Sequence, residues 1–101
     1  MEHAGIKITE VKAVEPYKID VQFNDGSKKL IDLAPILYGS IFGSLRNTEL
    51  FKRVRVNSEV ATIEWPNGAD FDPETLYNWD LYKDKLFERA KKWQYSKTIN
   101  R

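Results

Sequence analysis

Tyr17-Lys18-Ile19-Asp20-Val21-Gln22-Phe23-Asn24-Asp25-Gly26-Ser27 is the stretch that decides the fold class. Tyr17, Ile19, Val21 and Phe23 alternate with Lys18, Asp20, Gln22 and Asn24, the period-2 pattern of a strand with one face on a core and the other in water. Asn24-Asp25-Gly26-Ser27 then supplies residues that tolerate the left-handed backbone of a tight hairpin turn. Lys28 to Leu33 return as the next strand, and Ala34-Pro35 ends it. Upstream, Ile6 and Ile8 begin a period-2 run that shifts phase at Val11, which predicts a first strand within residues 6–14 carrying a bulge. Glu15-Pro16 separates that strand from the hairpin.

Downstream, Ile36, Leu37, Ile41, Phe42, Leu45 and Leu50 follow neither the helical nor the strand period, and Gly39 and Gly43 interrupt them. The reading is a short helical turn, a loop, and a short helix entered at Asn47 or Thr48, both good caps. Val54 and Val56 flank Arg55, Asn57-Ser58-Glu59 can turn, and Val60 to Trp65 alternate through Ile63, which predicts a second hairpin. Trp65-Pro66-Asn67-Gly68 is a further turn signal. Asp72-Pro73-Glu74 opens a helix with a capping Asp and Pro at its first position, and the pattern around Trp79 predicts a pause or bend before the chain continues. From about Asp80 to Tyr95, Tyr82, Leu86, Ala90 and Trp93 fall at helical spacing, with Leu81 and Phe87 widening the stripe. Residues 96–101 are expected to fray. The order β-β-β-α-β-β-α predicts an α+β fold of two layers, with a mainly antiparallel sheet and a C-terminal amphipathic helix.

The 101 residues, 42% apolar and 13% aromatic, suit one domain over 1–101 and leave little room for an enclosed active site. There is no Cys, hence no disulfide, thiol nucleophile or thiolate metal site. No apolar run approaches the roughly 18–20 residues that cross a bilayer. Met1-Glu2-His3-Ala4-Gly5 lacks the basic and apolar segments of a signal peptide, so a cytoplasmic location and no membrane partner are expected. Charge is uneven: residues 81–101 hold seven Lys/Arg against two acids, a formal +5, leaving −4 for the remainder of a chain whose net charge is +1.

Catalytic chemistry finds little footing in these residues. The only histidine is His3, near the terminus, and no serine sits in a Gly-x-Ser-x-Gly elbow. Gly39-Ser40-Ile41-Phe42-Gly43-Ser44 lacks the Gly-Lys-Ser/Thr ending of a phosphate-binding loop. Asp70, Asp72 and Glu74 alternate as metal ligands can, but a calcium loop starting at Asp70 would need Gly at Thr75 and Glu at Leu81, so no metal, catalytic or cofactor site is assigned. Trp65, Asn67, Asp70, Trp79, Tyr82 and Trp93 are the candidate interaction residues, because Trp and Tyr are common interface anchors. Lys83, Arg89, Lys91, Lys92 and Lys97, interleaved with aromatics, are the candidate nucleic-acid contacts; core packing for the rings and a solvated helix face for the cations are the simpler uses. The same mixture of rings and cations serves a protein partner equally well. A homodimer is also expected as an option, since small sheets expose an edge that can pair across a dimer axis.

Val21-Gln22-Phe23-Asn24-Asp25-Gly26, Ile31-Asp32-Leu33-Ala34-Pro35-Ile36-Leu37, Phe51 and Val54, and Ile63-Glu64-Trp65-Pro66-Asn67-Gly68-Ala69-Asp70 occur here in one order. With Pro73, Glu74, Leu76 and Tyr77, this pattern resembles the bacterial family called domain of unknown function 2442, over about residues 6–78. The resemblance implies a small α+β domain of the type found at the N-terminus of a nitrifying-bacterium protein that carries a helix-turn-helix domain after it. The present chain ends before such a second domain, so DNA binding by that route is not expected. The resemblance further implies a small bacterial protein encoded next to another short protein, with some members proposed as toxin–antitoxin components, and it supplies no catalytic residues to carry over. Together with the lack of catalytic chemistry and the aromatic-rich surface expected near Trp65 and the last helix, this leads to the expectation of a non-enzymatic interaction module, an antitoxin-like or regulatory partner of another small protein.

Overall fold

The computed structural model describes residues 5–99, with side chains through Lys92. His3 lies outside the described residues, as do the side chains of Trp93 and Lys97. The period-2 stretch forms β2 (Lys18–Phe23), central in an antiparallel sheet between β1 (Ile8–Val14) and β3 (Lys28–Asp32). Ile19, Val21 and Phe23 are buried, and each such side chain contributes about 1.5–3 kcal/mol by leaving water. Register slips between Ile8 and Glu10, so the expected bulge is present and sits at the start of β1. The turn at Asp25-Gly26 places Gly26 at φ 89°, a backbone conformation glycine adopts without a Cβ penalty.

Residues 34–51 form two 3₁₀ turns, Ala34–Ile36 and Gly43–Arg46, and the single-turn α1 (Thr48–Phe51). Asn47 caps α1, its Oδ1 accepting from the N–H groups of Glu49 (2.9 Å) and Leu50 (3.3 Å). β4 (Arg55–Asn57) and β5 (Thr62–Glu64) make the second hairpin as a separate two-stranded sheet. β5 is shorter than the alternation of residues 60–65 predicts, because the chain is still turning at Val60 and Ala61, where φ is +58°. Ile8 N donates to the Ala61 carbonyl at 2.9 Å and joins the two sheets.

α2 (Pro73–Tyr77) and α3 (Trp79–Ile99) are separated at Asn78, the predicted pause; Asn78 N and Nδ2 both donate to the Glu74 carbonyl. α3 continues past the expected end near Tyr95 to Ile99. Two further details correct the sequence reading. Asp72 occupies the N-cap position of α2 but its carboxylate caps no backbone N–H; it accepts instead from the Thr75 hydroxyl at 3.4 Å. On α3 the face turned inward is Trp79, Lys83, Leu86, Phe87 and Ala90, whereas Tyr82 and Leu81, expected on the apolar stripe, are exposed. Docking fixes the phase: α3 packs on the Ala34–Ile36 turn and on α2, and Trp79 meets the ring of Phe71 at 6.4 Å.

Between sheet and helix runs a series of rings, Tyr17–Phe51 (5.6 Å between centroids), Phe51–Trp65 (5.7 Å), Trp65–Phe71 (6.2 Å), Phe71–Trp79 and Trp79–Phe87 (6.3 Å). Four of these contacts, all but Phe51–Trp65, are edge-to-face, the arrangement the ring quadrupole favours.

Candidate functional site

The Trp65–Asp70 block follows directly from β5. Gly68 N donates to the Trp65 carbonyl (3.0 Å) and Trp65 N to the Ala69 carbonyl (2.9 Å), closing a turn with Pro66 at its second position and Gly68 at φ 94°. Trp65 is 2% exposed, and its indole Nε1 donates to the Phe51 carbonyl at 3.0 Å, so its polar edge is satisfied inside the core. Asn67 ties the turn to the preceding loop: Nδ2 donates to the Ile41 carbonyl (3.0 Å), and Oδ1 accepts from Ala69 N (3.1 Å). Asp70 is exposed and its backbone bridges to Glu64. Trp79 is 6% exposed, between Phe71 and Phe87. Of the six candidate interaction residues, Trp65 and Trp79 therefore sit within the core, Asn67 is half-buried in its own turn, and Asp70 and Tyr82 reach the surface.

Tyr82 lies on the outer face of α3 beside other exposed side chains. Leu81 is 75% and Tyr82 40% exposed, and Lys85, Arg89, Lys91 and Lys92 follow on the exposed side of the same helix. Leu81, Lys85, Glu88 and Lys92 recur at helical spacing opposite Trp79. Lys83 turns partly inward and pairs with Asp80 at 3.6 Å. By spacing alone Leu81 widens the apolar stripe; the docking of Trp79 turns it to water.

Two polar clusters lie elsewhere. On the second hairpin, Arg55 Nε (3.0 Å) and Nη2 (2.7 Å) donate to Glu64 Oε2, and Asn57 Nδ2 donates to Oε1 (3.1 Å). The Asn57 amide, then Arg55, hold the Glu64 carboxyl below its usual range. On the first hairpin, the Tyr77 hydroxyl donates to Asp25 Oδ2 (2.6 Å), and the Ser27 hydroxyl (2.7 Å) and N–H (2.9 Å) donate to Oδ1. The Tyr77 hydroxyl and then Ser27 lower the Asp25 carboxyl to about 2, and the same bond raises the Tyr77 phenol above its ordinary value. Both clusters consist of groups that already satisfy one another, the arrangement of structural pairs. Sequence reading missed the Asp25–Tyr77 pair, whose members are 52 positions apart.

Among the described residues no group of three or more His, Cys, Asp or Glu is arranged to hold a metal ion. No helix among them is long and apolar enough to cross a membrane. Among the described residues, one open cleft of about 410 Å³ lies between Val14, Pro16, Thr48 and Lys52, and another of about 470 Å³ beside Lys7, Glu59 and Asp72.

These features define a small α+β domain with a tightly closed aromatic core and a mixed apolar and basic helix face. The pattern of the protein family of unknown function DUF2442 matches residues 8–82, and the chain belongs to that family. The matched region ends at Tyr82, so it takes in the Trp65–Asp70 block and the first turn of α3 but none of the cations from Lys83 onward. No curated protein and no solved structure matches the chain.

Proposed function

We propose that this protein is a non-enzymatic interaction module, a regulatory or antitoxin-like partner of another small protein, and that it makes contact through the outer face of α3. The observation that carries the reading is the pair Leu81 and Tyr82, exposed side by side on a helix whose opposite face is committed to the core. Leu81 offers an apolar anchor, Tyr82 a ring with a polar edge, and Lys85, Arg89 and Lys92 a basic rim, which together suit an acidic protein surface. The cations also support a second reading, in which Arg89, Lys91 and Lys92 meet nucleic-acid phosphates while Tyr82 stacks on a base.

The two readings separate on salt and on residue. Affinity purification of the tagged protein from its native cell, with and without nuclease, is the test. For a protein interface, a stoichiometric partner survives nuclease and is lost with Leu81→Ala/Tyr82→Ala. For nucleic acid, cargo disappears with nuclease, and binding falls steeply with salt and with Arg89→Glu/Lys92→Glu. A purified protein that retains nothing in either arm overturns both.

A further inference from the structure

β3 is the outer strand of its sheet; among the described residues it is hydrogen-bonded to β2 and to no other strand. The ladder's phase fixes which of its groups point outward. Leu33 N donates to the Tyr17 carbonyl and Phe23 N to the Ser27 carbonyl, both at 2.9 Å, so Tyr17–Leu33 and Phe23–Ser27 are hydrogen-bonded pairs. Alternation along an antiparallel ladder then directs the N–H and C=O of Lys29 and Ile31 to β2 and those of Lys28, Leu30 and Asp32 to the open side. The same three residues carry the exposed side chains of β3, and Leu30 is 60% exposed.

We propose that β3 pairs antiparallel with β3 of a second copy of this chain, about a two-fold axis at Leu30, making one continuous sheet across both copies. Charge selects this occupant and this register. Lys28-Lys29-Leu30-Ile31-Asp32 has cations at one end and an anion at the other, so an antiparallel copy sets Lys28 against the second copy's Asp32 twice over, with Leu30 against Leu30 between them. Parallel pairing in register sets Lys28 on Lys28. An antiparallel slide by one step sets Lys29 on Lys29 in one direction and Leu30 on Asp32 in the other. A register that pairs odd with even positions places outward N–H and C=O groups opposite inward ones. Lysine on an edge strand ordinarily discourages pairing; here the antiparallel register neutralises Lys28. Asp32 holds its own turn with Oδ1, which accepts from Ala34 N at 3.0 Å, and Oδ2 is the oxygen for the second copy's Lys28. None of these residues belongs to α3, so the inference stands or falls separately from the function proposed above.

The full chain has no cysteine, which makes the test direct. Residues opposed in a hydrogen-bonded antiparallel pair have Cα atoms about 5.5 Å apart, within the span of a disulfide. Under mild oxidation Leu30→Cys should become a disulfide-linked dimer, while Gln22→Cys, on the same face of the central strand, should stay a single chain. In sedimentation equilibrium the unsubstituted protein should self-associate, and Lys28→Asp and Asp32→Lys should each weaken association by about tenfold. The double exchange Lys28→Asp/Asp32→Lys should restore it, with circular dichroism confirming that each variant folds. A protein that remains monomeric at every attainable concentration overturns the inference. So does a dimer indifferent to both single reversals, or one that Leu30→Cys does not trap.

Discussion

In the Trp65–Phe71 loop both rings and the Asn67 side-chain amide find partners within the fold, whereas on α3 the side chains of Leu81 and Tyr82 are left in water. Both segments present the residue types that interfaces favour. Trp65 nevertheless lies against Phe51 and Phe71 with its N–H on a carbonyl, and Asn67 bridges two loops. Leu81, opposite Trp79, has its side of the helix turned outward. The difference teaches that residue type alone does not separate a core from a contact surface; the satisfaction of polar edges and the phase of a docked helix do.

The most severe way to test that contrast is Trp65→Ala. It removes the central ring of the aromatic series and should cost about 3–5 kcal/mol in urea unfolding. A loss under about 1 kcal/mol would mean that the loop is not the structural member of the pair. Asn67→Ala removes the bonds to Ile41 and Ala69 and should cost about 1–2 kcal/mol, again with no direct effect on the α3 surface.

Tyr77→Phe sharpens the comparison at the junction between the regions. The Asp25 carboxyl is lowered from 3.8 to about 2, chiefly by the Tyr77 hydroxyl. A lowered carboxyl contributes stability in full above its unfolded pKa and loses it as pH falls through the folded one. The variant should therefore melt below the unsubstituted protein at neutral pH, with the gap closing between about pH 4 and pH 2. The raised Tyr77 phenol adds the opposite limb: its contribution holds below its unfolded pKa and is lost as pH rises through the folded value. A gap independent of pH would show that the pair does not couple. The smallest effect belongs to Leu81→Ala/Tyr82→Ala, which should change stability by no more than about 0.5 kcal/mol while removing partner retention.

Local patterns carried most of the fold in the sequence. Alternation in residues 17–23 specifies β2, Asn24-Asp25-Gly26 its turn, Asn47 the start of α1 and the pattern around Trp79 the break before α3; each depends on neighbours a few positions away. The candidate site was less legible, because its residues are sorted by distant partners. Trp65 is committed by the Phe51 carbonyl, 14 positions back, and Asn67 by Ile41, 26 positions back. On α3, apolar residues at 81, 82, 86, 87 and 90 spread around so much of the helix that periodicity does not choose an inward face. The contact of Trp79 with Phe71 does. The Asp72 carboxylate shows the same limit at small scale: the cap position is right, but the side chain turns to Thr75.

The series of rings from Tyr17 to Phe87 also gives the molecule internal optical reporters. Trp65 sits mid-series in the body and Trp79 at the root of α3, so their emission follows different events. Light from Trp65 reports whether the sheets and the loop hold together; light from Trp79 reports whether the long helix is seated. A partner that gripped α3 and drew it away would change the colour of Trp79 and leave Trp65 as it was.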